Sequence, residues 1–341
     1  MDSDTDIIIR NILSRIPAKS LIRFQCVSKR WRTLIKTPSF IAEHLRRQSP
    51  CLHFRAQKPR HPKQLPLPLH LLDCELQVRR VEKQPPIFEL DFANIVGSCN
   101  GLICLKIVKD YLLSTLMLWN PAIRALRMIP SPAVVGAQKG LFLIGFGFSP
   151  IVSDYKIVIV WLVDYPFPGI HVEMYSLSSG SWKEVVVVEE HKILEHIHLK
   201  SDCVTANGAM FWHGAKGDAD MIVSFDLATE VFTLIPLPVP SNPSLSFRLA
   251  VHEDKLALLV KHWLLENSKS VEMWVMDEGG EGGSNGEIVC NVIECGKSKI
   301  ALFNVDTGEF NMLDVHDSYE CFDYVESLVP LGGKKLNATF M

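Results

Sequence analysis

Trp119-Asn-Pro-Ala-Ile-Arg-Ala-Leu126 is one of four eight-residue segments that align without gaps. The others are Tyr175-Ser-Leu-Ser-Ser-Gly-Ser-Trp182, Phe225-Asp-Leu-Ala-Thr-Glu-Val-Phe232 and Phe303-Asn-Val-Asp-Thr-Gly-Glu-Phe310. Each begins with an aromatic residue, places a small polar residue next and passes through a turn. Each then ends on a large apolar residue. A strand, a turn built from Asn, Asp, Ser, Thr and Gly, and a returning strand make a hairpin.

A second marker precedes each copy. Asn100-Gly101, Asp154-Tyr155, Asn207-Gly208 and Asn285-Gly286 open apolar strands, 19, 21, 18 and 18 residues before the four aromatics. Asp254-Lys255 lies 20 residues before Trp274, which marks a fifth unit. The aromatics are spaced 56, 50, 49 and 29 residues apart. A period near 50 is that of kelch-like propeller blades, each a small antiparallel sheet. The last interval is short by most of one hairpin. Asp-Glu-Gly-Gly-Glu-Gly-Gly-Ser-Asn-Gly stands after Met276 where a returning strand belongs, so one blade is expected to be truncated.

The first fifty residues have a different period. Ile8, Ile9, Ile12, Leu13 and Ile16 follow helical spacing, with Asp6 as the expected N-cap. Pro17 ends that helix and opens the next, which carries Leu21, Ile22 and Phe24. Ser28 and Thr37-Pro38 are cap signals for two further helices, carrying Trp31, Leu34 and Ile35, then Phe40, Ile41 and Leu45. So small a module has little interior for this many large apolar side chains. It must pack on the following domain or offer an apolar face to another protein. Pro50, Pro59, Pro62, Pro66 and Pro68 then separate it from the rest, which favours an independent docking unit. The expected organisation is multidomain, α plus all-β: a helical module at 1–47, a proline-rich linker and entry segment at 48–87, and a propeller-like β domain at 88–332.

Charge follows the same division. Residues 1–80 hold sixteen Lys/Arg against six Asp/Glu; the remainder holds nineteen against thirty-two. A basic head suits nucleic acid or an acidic protein partner, while the acidic β part is a poor match for a phosphate backbone. No apolar run approaches the roughly 18 residues of a spanning helix, and Met1–Asp6 is acidic, unlike a secretory signal. Nine scattered cysteines without a C-x-x-C pair suit a reduced, cytoplasmic or nuclear protein.

Asp6-Ile-Ile-Ile-Arg-Asn-Ile-Leu-Ser-Arg-Ile-Pro-Ala-Lys-Ser-Leu-Ile-Arg-Phe-Gln-Cys-Val-Ser-Lys-Arg-Trp31 resembles an F-box, over about residues 4–46. The β part resembles the F-box-associated domain of plant F-box proteins. The matching stretches are Ser98-Cys-Asn-Gly-Leu-Ile-Cys104, Leu118-Trp-Asn-Pro121, Gly145-Phe-Gly-Phe148 with Asp154-Tyr-Lys156, Asn207-Gly208 with Trp212, Trp274-Val-Met276 and Tyr324-Val-Glu-Ser-Leu328. The resemblance implies the target-recognition subunit of a Skp–cullin–F-box ubiquitin ligase, with no catalytic residue of its own. It implies a Skp-type adaptor, and through it a cullin scaffold, docked on Ile8, Ile12, Leu13, Pro17, Leu21, Val27 and Trp31. An unidentified target protein would sit on the β domain. The family usually opens with Leu-Pro two residues before the position of Asp6, where this chain has Ser3 and Asp4. That departure and the short repeat leave open a decayed member without ligase assembly.

Competing chemistry is thin. His191, His196 and His198, with Glu195, are the one histidine cluster that could hold a metal, as a propeller enzyme would require; polar loop or strand-edge histidines are far more common. Gly145-Phe-Gly-Phe lacks the third glycine of a dinucleotide loop, and the Gly279–Ser284 tract lacks a P-loop lysine. No cofactor, metal, nucleic acid or membrane is expected. The large aromatics are read as blade core.

Overall fold

The computed structural model describes residues 3–48, 51–56, 69–72, 78–80, 93–110, 113–132, 142–163, 169–185, 194, 197–199, 203–237, 245–252, 255–262, 271–275, 287–294, 297–304, 310–316 and 318–332. Four short helices come first: α1 (Ser3–Leu13), α2 (Ala18–Phe24), α3 (Lys29–Ile35) and α4 (Pro38–Arg46). The expected caps are present on α3 and α4. Ser28 Oγ accepts from the Trp31 N–H at 3.5 Å, and Thr37 Oγ1 accepts from the Phe40 N–H at 3.3 Å. Asp6 is not a cap: α1 starts three residues earlier, which puts Asp4 and Asp6 in its first turns, where negative charge suits the helix dipole.

The strands form six antiparallel sheets among the described residues. The first contains β1 (Cys51–Ala56), β2 (Leu69–Leu72) and β3 (Val78–Arg80). The second is the meander β4 (Ala93–Cys99), β5 (Leu102–Asp110), β6 (Leu113–Asn120) and β7 (Ala125–Met128). The third runs through β8 (Phe142–Ser149), β9 (Asp154–Val163), β10 (Gly169–Ser176) and β11 (Ser181–Val185). In the fourth, β12 (His198–Leu199) and β13 (Val204–Ala206) both pair with β14 (Ala209–Lys216), followed by β15 (Ala219–Asp226) and β16 (Phe232–Pro236). The fifth and sixth have three strands each: β17 (Leu245–His252), β18 (Lys255–His262) and β19 (Val271–Val275), then β20 (Glu287–Glu294), β21 (Lys297–Asn304) and β22 (Phe310–His316). The last strand, β23 (Ser318–Tyr324), returns to the first sheet beside β1. Strands therefore occur inside the stretch read as a linker.

The eight-residue repeat is the outer hairpin of a sheet. Its first and last residues are direct cross-strand partners in every copy: Trp119 with Leu126, Tyr175 with Trp182, Phe225 with Phe232, and Phe303 with Phe310. The small polar residue in second place caps its own turn. Asn120 Oδ1 accepts from the Ala122 N–H at 3.1 Å, Ser176 Oγ from the Ser179 N–H at 3.2 Å, and Asp226 Oδ1 from the Thr229 N–H at 2.6 Å. These are the Asx and Ser/Thr turns that make such residues turn formers. The sixth residue is left-handed in three copies, at Arg124, Gly180 and Glu230 (φ 53°, 71° and 63°). Asn100-Gly101 and Asn207-Gly208 form the inner hairpins, with positive φ at both residues as a type I′ turn requires.

The missing hairpin divides between two sheets. Trp274 lies on β19, the third strand of its sheet, and residues 276–286, where a fourth strand would fall, lie outside the described residues. Phe303 lies on β21, which by its hairpin to β22 is also a third strand, so its sheet begins at the second. Among the described residues, the sheet of β19 thus shows no outer strand and the sheet of β20 no first strand.

The chain divides into two compact units, Met1–Ser131 with Glu320–Met341, and Pro132–Tyr319. In the second, Val158, Val160, Met174, Trp212, Phe225 and Phe232 belong to one core. In the first, Ile103, Leu105, Trp119 and Tyr324 build the core of the second sheet. The segment after β23 crosses this sheet's outer hairpin. Asn120, wholly buried, donates from Nδ2 to the Ser327 and Val329 carbonyls, both at 3.0 Å. Its Oδ1 takes the Ala122 and Ile123 N–H groups, so all four of its hydrogen-bonding positions are used. Pro121 between them has no N–H to satisfy, which explains why proline suits that position.

Asn120→Asp keeps the shape and replaces two donors by a carboxylate facing two carbonyl oxygens. It is expected to destabilise the first unit by about 3 kcal/mol at neutral pH. Burial raises that carboxyl in the folded state, so part of the loss should return on acidification, as protonation restores a donor. Urea melts of the variant and the parent chain at pH 7 and pH 5 measure both effects.

Candidate docking face

The helical module is built on a stripe of isoleucine and leucine wider than its own core. Successive helical residues are separated by 100°, so Ile8, Ile9, Ile12 and Leu13 of α1, with Ile16 just beyond its end, span about 140° of the helix surface. The core takes one half of that stripe. Leu13, Leu21, Ile35 and Phe40 are buried at 2%, 0%, 1% and 0% exposure, and Ile9, Ile16, Phe24 and Trp31 pack against them. Ile8 and Ile12, one turn apart, remain 59% and 57% exposed, and Ile7 is 62% exposed. Val27, between α2 and α3, is exposed as well.

Of the seven residues expected on the face, Ile8, Ile12, Pro17 and Val27 are exposed and Trp31 is half-buried, its ring 5.7 Å from that of Phe24. Leu13 and Leu21 lie inside the chain's own core.

Two ion-pair sets fix the helices. Asp6 pairs with Arg30, which brings the first turns of α1 to the start of α3, close along the chain to Val27. Arg10 and Arg47 converge on Glu43 at 2.7 and 2.9 Å, and Arg47 also donates to Asn11 Oδ1 at 2.8 Å. The hydrogen bond and charge of Arg10 hold the Glu43 carboxyl below its ordinary value. His44 is wholly buried, stacked on Phe40, with Nε2 2.9 Å from the Ile16 carbonyl. Burial pushes its pKa down, against the Ile16 carbonyl and the Glu326 charge, which favour the protonated ring.

The module does not stand alone. Leu328, 6% exposed, belongs to the helical core, and Ala122 and Ile123 of the second sheet's outer turn pack on it. The Ala18 N–H at the start of α2 donates to Glu326 Oε2 at 2.9 Å. The proline-rich stretch suggested an independent unit; the helices instead share their interior with the β domain and still leave one apolar face outside.

Elsewhere among the described residues, the charged side chains of the largest cluster pair with one another. A cleft of about 320 Å³ between the third and fourth sheets is lined by Asp154, Lys156, Ser176, Lys183 and Glu230. Lys156 and Lys183 both reach Glu230, at 3.1 and 2.6 Å. Burial pushes the Glu230 carboxyl up, and the two ammonium groups outweigh it and hold it below its ordinary value. The charges there are spent on one another. Burial also pushes the Cys104 thiol up, as suits a packing residue. His191 and His196 lie outside the described residues, and among the described residues no group of three His, Cys, Asp or Glu could hold a metal. No described helix is long and apolar enough to cross a membrane.

A small helical module with an apolar outer face, continuous with four-stranded meanders of blade type, is the class of protein that these features define. Residues 5–42 match the F-box domain, and residues 72–285 match the F-box associated beta propeller domain. A kelch-repeat F-box protein of Arabidopsis thaliana is 26% identical over 293 residues, covering 80% of this chain and 75% of its own. Two other F-box proteins of that plant are 28% and 30% identical over 241 and 240 residues, 67% of this chain in both cases. The match spans 59% and 60% of those two relatives. Among solved structures, TolB of Acinetobacter baumannii is similar at a TM-score of 0.47 and 12% identity, covering 84% of this chain and 70% of TolB. The chain belongs to the F-box proteins that carry an F-box associated beta propeller domain.

The pH dependence of the module follows from His44 and Glu43. A histidine whose folded pKa is lowered binds fewer protons than in the unfolded chain, so stability falls as pH drops below its ordinary 6.5. Glu43, also lowered, adds a further loss below its ordinary 4.5. Melts of the full chain between pH 7.5 and 5 should show acid destabilisation that His44→Gln reduces.

Proposed function

We propose that the chain is the target-recognition subunit of a Skp–cullin–F-box ubiquitin ligase. The observation that carries this reading is the exposed Ile7, Ile8, Ile12 and Val27 on a module whose opposite face is already sealed. A large apolar patch left outside on a small helical unit is the mark of a partner. Pro17 borders this face at the start of α2, and Trp31 stiffens it through Phe24. Residues 3–48 hold ten Lys/Arg against three Asp/Glu, so an acidic adaptor would be steered toward it.

The β domain holds the target protein, and the adaptor connects the chain to a cullin scaffold. The chemical contribution is proximity. Holding the target near the transfer machinery replaces a bimolecular encounter by a local one at high effective concentration. Under this reading no residue of the chain does covalent chemistry, no cofactor is needed, and the chain works in the cytoplasm or nucleus.

A purified Skp-type adaptor should be retained by the full chain. Ile8→Asp combined with Ile12→Asp should weaken that binding by about a hundredfold or more, since each buried isoleucine is worth roughly 1.5–3 kcal/mol. Both residues are exposed, so the melt should stay within about 0.5 kcal/mol of the parent chain. No retention of the parent chain would overturn the reading in favour of a family member that has lost ligase assembly.

A further inference from the structure

The segment that follows the last strand has a role that the helical module alone cannot supply. Tyr324–Leu331 lies between the outer hairpin of the second sheet and the helices, and each side is held by named contacts. On the sheet side are the Asn120 amide on the Ser327 and Val329 carbonyls, and Arg127 donating to the Leu331 carbonyl at 3.1 Å. Gly101 lies against it so closely that a Cβ there would fall 2.3 Å from Ser327 Cβ. On the helix side are Leu328 in the core with Leu13, Leu21 and Phe40, and Glu326 accepting from the Ala18 N–H.

We propose that this segment is a structural part of the docking module, with Leu328 and Glu326 as positioning residues for adaptor binding. The physical reason is the division of the α1 stripe. Leu13, Leu21 and Leu328 are buried in one core, so without Leu328 the apolar residues of α1 and α2 lose part of their floor. The helix could then rotate to bury Ile8 and Ile12 in place of Leu13. The Glu326 carboxylate takes an N–H that the start of α2 would otherwise leave without a partner in a half-buried position. Docking at residue 8 thus depends on a side chain near the other end of the chain, 308 positions beyond its partner in the case of Ala18 and Glu326.

The inference rests on the docking reading for its functional consequence, but the structural coupling is measured separately. The experiment is amide hydrogen exchange on the full chain, with adaptor affinity measured on the same preparations. Leu328→Ala should speed exchange in α1 and α2 by roughly 30-fold, with β14 and β15 of the second unit unchanged. Leu328→Met, which keeps the volume, should exchange like the parent chain. Glu326→Ala, a gentler change, should speed α2 alone by about fivefold, and Glu326→Gln, which keeps an acceptor, should restore it. Adaptor affinity should fall in the order of the exchange rates. Unchanged exchange in α1 and α2 for Leu328→Ala, or a rise of equal size in β14 and β15, would overturn the proposal. If the parent chain itself binds no adaptor, the docking reading fails, and the exchange arm still decides the coupling.

Discussion

One side chain ties the first unit together. Asn120 is the second residue of an outer hairpin, where its counterparts Ser176 and Asp226 also close their own turns, and Ser176 donates to the Asp154 carboxylate besides. Asn120 does the same with Oδ1 and has an amide nitrogen left over, which takes two carbonyls of the segment after β23. A carboxylate or a hydroxyl in that place could cap the turn but could not hold both carbonyls. That surplus donor capacity fixes Ser327 and Val329, and with them Leu328, which points into the helices. Sheet, closing segment and helical module are therefore one packed body.

This arrangement resolves a difficulty of size. About forty residues in four short helices cannot form much core. The module offsets this by borrowing Leu328, Ala122 and Ile123, and by tying α1 and α4 together through Arg10, Arg47 and Glu43. Those ion pairs are partly exposed and worth little individually. Borrowed apolar burial is the larger contribution, and it frees Ile8 and Ile12 for use outside. The same stripe of α1 is buried in the core along one edge and exposed along the other.

What could be read from the sequence was whatever repeats or caps locally. The eight-residue segments gave the outer hairpins to the residue, because Trp119 and Leu126, or Phe225 and Phe232, are paired by the turn between them. Ser28 and Thr37-Pro38 marked the starts of α3 and α4 for the same local reason. The division of the α1 stripe was not legible. Ile12 and Leu13 are neighbours of similar hydrophobicity, and only the tertiary packing, to which the distant Leu328 contributes, decides which of them is inside. Nor could the role of Tyr324-Val-Glu-Ser-Leu328 be seen, since its partners Asn120 and Ala18 lie some 200 and 300 positions away. The short repeat was visible as a deficit, but its division between the sheets of β19 and β20 needed the pairing pattern.

The apolar face on α1 and the turn before α3 is the surface proposed to receive an adaptor. Calorimetric titration of the full chain with a purified Skp-type adaptor, repeated at several temperatures, tests it most directly. Burial of Ile7, Ile8, Ile12 and Val27 predicts saturable one-to-one binding whose enthalpy becomes more negative on warming, the heat-capacity signature of apolar association. No saturable heat at any temperature, or an enthalpy independent of temperature, would contradict it.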